Sequence, residues 1–240
     1  MLGKFFTIKY ETVTSMNEVS DLPILYSLRN CPFAMRARLA LFKAKQNVIL
    51  RDIILSNKPQ AMLDASPKAT VPVLVFKDNR VLEESLDIML WAFNQTDPHN
   101  LLHKNTSENE ENKNTEMMSL IAQFDQEFKT CLENYKCAKR YHESNLVECR
   151  QACEIHINNL EQRLTQHQFL ISENESVADL ALLPFIRQFA RIERQWYLKS
   201  PYPHLKAWLN RYLQSPMFTK VMAKYPLWEK QQEAIIFGDN

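Results

Sequence analysis

The spacing of apolar and polar residues changes twice along the chain, and each change marks a change of element type. Residues 1–22 are mixed and polar, with weak alternation around Phe5 to Tyr10, and read as an N-terminal extension of unassigned structure. Residues 23–28 form a short, nearly continuous apolar run, the pattern of a buried strand. Pro32 follows where proline suits a helix, in the first turn, since the N–H it lacks has no intrahelical partner there. The helix it opens, to about Lys45, puts Met35, Leu39 and Phe42 on one face and turns Arg36, Arg38, Lys43 and Lys45 mostly away from it. Residues 47–54 predict a second strand, 58–65 a short helix, 71–76 a third strand, and Val81-Leu82 a fourth after a turn at Asp78-Asn79. Ser85 opens a helix to about Gln95, which completes a β-α-β-α-β-β-α order within residues 23–95.

Residues 96–115 break the pattern. They are rich in Asn, Glu, Lys, Ser and His, contain Pro98, and read as a linker and frayed helix start. From 116 to 240 everything reads as helical. Met117, Ile121, Phe124, Phe128, Cys131 and Tyr135 keep the helical period, as do Cys149, Cys153, His156, Leu160 and Leu164, so two long antiparallel helices are expected. Ser176 and Asp179 have the spacing of a capping box, each able to satisfy a free backbone N–H, and launch a strongly apolar helix to about Arg194. Pro201 and Pro203 precede a helix over 204–213, Pro216 a last short one, and the tail from Tyr225 carries Trp228. The expected fold class is α/β followed by an all-α bundle.

Composition narrows the chemistry. Between Gly3 and Gly238 there is no glycine, where average usage would give roughly 17 in a chain of this length. Phosphate loops, dinucleotide turns, nucleophile elbows and EF-loops all need glycine at fixed positions, so nucleotide-dependent chemistry through such loops is excluded. Lys+Arg 29 against Asp+Glu 28 leaves a formal charge of +1, with no long-range field to collect nucleic acid or anionic membrane. The start carries lysines but no apolar stretch of signal-peptide length, and the longest apolar run, residues 180–186, falls far short of the ~18 residues that span a bilayer. A cytoplasmic protein is expected, with neither nucleic acid nor membrane as partner. Its five cysteines, 31, 131, 137, 149 and 153, suit reduced thiols better than a disulfide framework.

The leading chemical signal is Cys31-Pro32-Phe33 between the first strand and its helix. A thiolate just before a helix is stabilised by unpaired N–H groups and the dipole, which can lower its pKa from ~8.5 into about 3.5–7.5 and make it a nucleophile at neutral pH. Ala34 stands where a dithiol protein would have its resolving cysteine, so a disulfide on Cys31 must be released by an external thiol. Alone, Cys31 reads equally as a small buried hydrophobe. Val71-Pro72 at a strand entry is either punctuation or a cis-proline turn that offers the backbone of Val71 to an extended peptide. Glu84-Ser85 is either a plain cap or an anion site at a helix start, and Lys58 alone is a solvated lysine.

Together these residues resemble the glutathione S-transferase superfamily over about residues 23–225. A thioredoxin-like βαβαββα domain precedes a helical one, with Val71-Pro72, Glu84-Ser85 and the Ser176/Asp179 cap at the family's positions. Cys31-Pro32-Phe33, the extension and Asn57-Lys58-Pro59 look most like the cysteine-type omega class. Pro184 to Ala190, Phe128-Lys129 and Tyr135-Lys136 look like bacterial members. The resemblance implies that Cys31 forms a mixed disulfide with glutathione, with Phe33 lining the site and Val71 pairing its backbone with the cysteinyl part beside a cis Pro72. It implies that Glu84 faces the γ-glutamyl ammonium, Ser85 binds the γ-glutamyl carboxylate, and Lys58 meets the glycyl carboxylate. Asp78-Asn79 and Glu173-Asn174 replace the family's usual turn glycines, and Glu175 replaces the apolar residue before the cap.

The expected division is therefore 1–22 extension, 23–95 glutathione-binding domain, 96–115 linker, and 116–240 helical domain with a second-substrate pocket. The expected function is glutathione-dependent thiol transfer or reductive deglutathionylation through glutathionyl-Cys31. Glutathione is the co-substrate, no metal takes part, the second substrate is a small apolar or disulfide compound, and a homodimer follows by family analogy. Conjugation of glutathione to electrophiles, and a non-catalytic binding module, are the alternatives. Cys149, Cys153 and His156 with His142 could be imagined as a metal site, but their face continues as Leu160 and Leu164 and reads more plainly as core. The abundant aromatic residues could line a pocket beside Cys31. Arg187, Arg191 and Arg194 either face that pocket or pair with Glu193 and solvent.

Overall fold

The computed structural model describes residues 21–104, 108–228 and 233–238; the alternation around Phe5 to Tyr10 and nearly all of the expected extension lie outside them. The first half runs β1 (Ile24–Ser27), α1 (Pro32–Lys43), β2 (Val48–Asp52), α2 (Gln60–Ala65), β3 (Val73–Val75), β4 (Val81–Leu82) and α3 (Ser85–Gln95), the expected order. Boundaries move for local reasons. Lys45, with φ 53°, turns the chain left-handed after α1, Pro59 caps α2 two residues later than expected, and β3 starts only past Pro72, which has no N–H for the ladder.

Strand order is β4-β3-β1-β2-β5, with β1 and β2 parallel and every other pair antiparallel. Alternation along the strands divides the core. Leu25, Leu50 and Leu74 join α1 and α3 on one face, while Tyr26 and Val73 pack with Met62 of α2 on the other.

The expectation for α1 fails at two positions. Arg36 and Arg38 are 1% and 0% exposed. Neither flank of the helix reaches water, because the sheet covers one side and a helix from the second half covers the other. Each guanidinium therefore has a built partner. Arg38 donates to Ser27 Oγ (2.8 Å) and Asp52 Oδ1 (2.6 Å); Arg36 grips Asp125 through two nitrogens (3.0 and 2.8 Å) and donates to the Ala181 carbonyl (2.7 Å).

The second half begins with α4 (Glu108–Gln123), which passes through a π-helical turn at Phe124–Phe128 into α5 (Lys129–Tyr141). That turn carries Asp125 to Arg36. α6 (Leu146–Gln166) returns alongside, with Cys153, His156, Leu160 and Leu164 buried and the His156 ring edge-on to Phe124 and Phe128 at 5.7 and 5.8 Å. The stripe is core. Among the described residues, no group of three or more His, Cys, Asp or Glu is placed to hold a metal ion, and no helix is long and apolar enough to cross a membrane.

The capping box forms at the head of α7 (Val177–Ile192). The buried Asp179 carboxylate accepts from the Ser176 amide (3.0 Å), Ser176 Oγ (2.8 Å), the Leu170 amide (3.0 Å) and Trp208 Nε1 (2.9 Å). Glu175, where an apolar staple is missing, instead pairs with Lys43 of α1 and accepts from the Tyr212 hydroxyl. Asn79 takes the left-handed conformation of the turn before β4 (φ 63°), whereas Asn174 keeps negative φ and its turn closes through the Ser172 hydroxyl.

The chain then forms α8 (Arg194–Lys199), α9 (Pro203–Leu213) and α10 (Pro216–Val221). Contrary to an all-helical reading of this half, β5 (Ile235–Phe237) pairs with β2, Ile49 facing Ile236. Three apolar residues are too few to show a period, and only the open edge of β2 makes them a strand.

Candidate functional site

Cys31 caps α1 with an extended backbone (φ −75°, ψ 124°). Its amide donates to the Leu28 carbonyl (3.0 Å) and its carbonyl accepts from Met35 (2.9 Å), so the residue is fixed at both ends while its side chain is free of capping duty. The thiol lies 3.7 Å from the Val71 carbonyl, to which it donates, and the Val71-Pro72 peptide is cis. Cys31 and the Val71 turn are thus one cluster, although 40 residues separate them.

The electrostatics correct the expectation of a thiolate at neutral pH. Burial dominates and raises the Cys31 pKa above the ordinary thiol value, against the amides of Ala34 and Phe33 and the charge of Lys136, which favour the thiolate. Donors at the helix start are present as expected, but desolvation outweighs them.

A cavity of about 490 Å³ opens on Cys31 and Phe33, walled by Lys129, Glu133 and Lys136 of α5 and Phe185 of α7. Lys129 Nζ stands 5.0 Å from the Phe33 ring centroid, and Phe33 meets Phe185 edge-on at 5.2 Å. Of the aromatic residues noted in the sequence, Phe185 lines this cavity, while Phe124, Phe128, Tyr135 and Phe189 are buried in the core. Lys129 and Lys136 are seven apart, two turns along one helical face, and the sequence marked them only within the pairs Phe128-Lys129 and Tyr135-Lys136, with no site role attached.

The remaining expected residues lie at the head of α3 and in the loop before α2, and none of them lines the Cys31 cavity. Glu84 caps α3, and Ser85 is buried in its first turn. The exposed Glu84 carboxylate pairs with Lys68 (2.6 Å), a residue with no distinguishing sequence pattern, which ties the loop before Val71 to the head of α3. Lys58 is half-buried in the loop ahead of Pro59. Arg187, Arg191 and Arg194 do not line the Cys31 cavity; they line a neighbouring cleft.

Comparison with known proteins agrees with this architecture. Residues 25–100 match the family model described as glutathione S-transferase, N-terminal domain, and residues 135–216 match glutathione S-transferase, C-terminal domain. Poplar glutathione transferase F1 is similar in structure with a TM-score of 0.70 at 18% identity, over 84% of this chain and 96% of that one. A glutathione transferase family member from Pseudomonas fluorescens, solved with two glutathione bound, gives a TM-score of 0.72 at 15% identity over 85% and 93%. Glutathione S-transferase-I, solved with lactoylglutathione, gives 0.69 at 21% identity over 84% and 98%. At these identities the structures attest the fold alone, and with both family models matched in order, the chain belongs to the glutathione S-transferase superfamily.

Proposed function

We propose that this protein is a glutathione-dependent thiol transferase of omega-like, cysteine type, acting on glutathionyl mixed disulfides. The observation that carries this reading is the position of the Cys31 thiol: at the head of α1, facing the amides of Phe33 and Ala34, 3.7 Å from the Val71 carbonyl and open to a cavity. The Cys31 thiolate attacks the glutathionyl sulfur of a mixed disulfide, and the departing thiolate takes up the proton that Cys31 released. A second glutathione, as thiolate, attacks glutathionyl-Cys31 and leaves as glutathione disulfide, restoring Cys31. Each step breaks one disulfide bond and forms one, the proton lost by the second glutathione returns to Cys31, and the net exchange turns one mixed disulfide and one glutathione into a free thiol and glutathione disulfide, with no metal required.

In this reading the backbone of Val71 beside Pro72 aligns the cysteinyl part of glutathione. Ser85 and the N-terminus of α3 hold the γ-glutamyl carboxylate, Glu84 exchanges Lys68 for the γ-glutamyl ammonium, and Lys58 takes the glycyl carboxylate. Phe33 separates this site from the second-substrate cavity. Residues 23–95 form the glutathione-binding domain, 96–115 the linker and the start of α4, and α5 and α7 of the helical domain carry the second-substrate wall. The working unit is a cytoplasmic homodimer, by analogy with the family.

One observation favours conjugation as a second reading: a thiol held neutral by burial can donate to a glutathione thiolate as a hydroxyl would. Cys31→Ser separates them. Thiol transfer predicts loss of glutathione-dependent reduction of hydroxyethyl disulfide by 100-fold or more, on the order of removing a nucleophile, with glutathionylation of wild-type Cys31 seen by mass spectrometry. Retained reduction would overturn thiol transfer; retained or increased turnover of an aryl chloride would establish conjugation. Failure of both activities, with no retention on immobilised glutathione, would leave a binding module.

A further inference from the structure

Outside the Cys31 cavity, a cluster of unbalanced positive charge lies along α7 and α8. Arg187, Arg191 and Arg194 fall at i, i+4 and i+7, and no carboxylate among the described residues pairs with them. Glu193, the nearest acid in sequence, is already held by Arg150 (2.7 Å), the Tyr135 hydroxyl (2.9 Å) and Lys139 (3.6 Å). Arg187 is half-buried, and its charge is disfavoured by burial and by the nearby charges of Arg191 and Arg29. Cations held together without an anion are unfavourable in the empty protein, and an anion bound between them removes that repulsion.

The arginines line space. One cavity, about 340 Å³, has Arg187, Gln188 and Arg191 on one wall and Asn30 and Pro32, the neighbours of Cys31, on the other. A second, about 630 Å³, shares Arg187 and Arg191, adds Arg194, and is otherwise walled largely by apolar groups that include Tyr197, Leu209, Leu213 and Phe218. Both lie within the range of small-molecule sites. The polar end offers two guanidinium forks and two side-chain amides, which match the oxygens of a phosphate. At neutral pH a phosphate monoester carries about −1.5 to −2, closer to the charge of two guanidiniums than a single carboxylate can come.

We propose that this double cleft binds a phosphate monoester, its phosphate between Arg187 and Arg191 with Asn30 and Gln188 as further partners, and its organic body against the apolar wall of the larger cavity. The cleft adjoins the Cys31 cavity and shares Pro32 and Gln188 with it, but Arg187 and Arg191 line the cleft and not that cavity, and the proposal does not depend on the thiol-transfer reading. The bound phosphate lies against the loop that carries Cys31, which places it to report on that site.

Isothermal titration calorimetry of the full-length protein with phenyl phosphate tests this, with benzoate and inorganic phosphate as controls. Phenyl phosphate should bind at least tenfold more tightly than either, since benzoate lacks the second charge and inorganic phosphate the apolar body. Arg191→Gln, at an exposed position that folding does not need, should weaken it about tenfold, and Arg187→Gln/Arg191→Gln should abolish it. Lys129→Gln, in the Cys31 cavity, should leave it unchanged. Equal affinity for benzoate would overturn the assignment to a dianion, and equal affinity in Arg191→Gln the assignment to this cleft. Loss on Lys129→Gln would move the ligand to the Cys31 cavity. If the double variant does not fold, wild-type affinity against NaCl decides: weakening with salt supports the arginine site, and salt-independence overturns it.

Discussion

Two acids, the half-buried Cys31 thiol and the buried Asp179 carboxyl, set the chemistry at the residue scale. Because burial lifts the Cys31 pKa, the ligand-free protein holds a thiol, and alkylation by iodoacetamide should show its pH inflection above the ~8.5 of a free cysteine. Lys136→Gln should move that inflection further up, since a charge that favours the thiolate is lost; an inflection below pH 8 in the wild type would contradict the dominance of burial. Asp179 is pushed up to about 6 by burial, against its four donors. An unfolded Asp titrates near 3.9, so between about pH 4 and 6 the folded state holds a proton that the unfolded state has released. Its contribution to stability is therefore full below about pH 4 and falls as pH rises to about 6, by no more than about 3 kcal/mol. Denaturant unfolding of wild type against Asp179→Asn should show this difference. Asp179→Ala, which strands the Leu170 and Ser176 amides and the Trp208 indole N–H, should cost about 3–5 kcal/mol at neutral pH.

At the scale of elements, local pattern and tertiary surroundings contributed unequally. The order of strands and helices, the capping box and the Cys31-Pro32 helix start were legible because each depends on residues within a few positions of one another. β5 was not, since its strand state depends on the β2 edge almost two hundred residues away. Gly238 closes that strand at φ 152°, and a Cβ there would meet Asn47 Oδ1 at 2.4 Å and the Gln46 carbonyl at 2.5 Å. Gly238→Ala should therefore loosen β5 by about 1–3 kcal/mol, read as faster amide exchange at residues 48–50 and easier proteolysis of the C-terminal tail. Unchanged exchange would mean that β5 does not protect this edge.

Across the whole molecule, α1 joins the two halves. Arg36 reaches Asp125 and Ala181, and Lys43 reaches Glu175, all from one helix of the first half into the second. Asp125→Ala leaves the Arg36 cation buried without its partner and should cost about 3 kcal/mol. Arg36→Met/Asp125→Ala should recover part of that loss, because it removes the stranded charge as well. If the double variant is no more stable than Asp125→Ala, the ion pair is not what makes the single change costly.

Of the candidate site, Cys31 and the Val71-Pro72 turn stood out in the sequence because cysteine and proline carry their chemistry wherever the chain places them, whereas Phe33 came only with the family resemblance. The same string of residues settled the order of elements, the missing glycine loops and the thiol at a helix start, since those follow from composition and near-neighbour spacing. The assembled fold settled the burial of Arg36 and Arg38, the upward shift of the Cys31 thiol, the capture of Glu84 by Lys68, and the isolation of Arg187, Arg191 and Arg194 from every described carboxylate. Each of these turns on desolvation or on the distance to a charge far away in sequence, quantities that exist only once separate segments have packed.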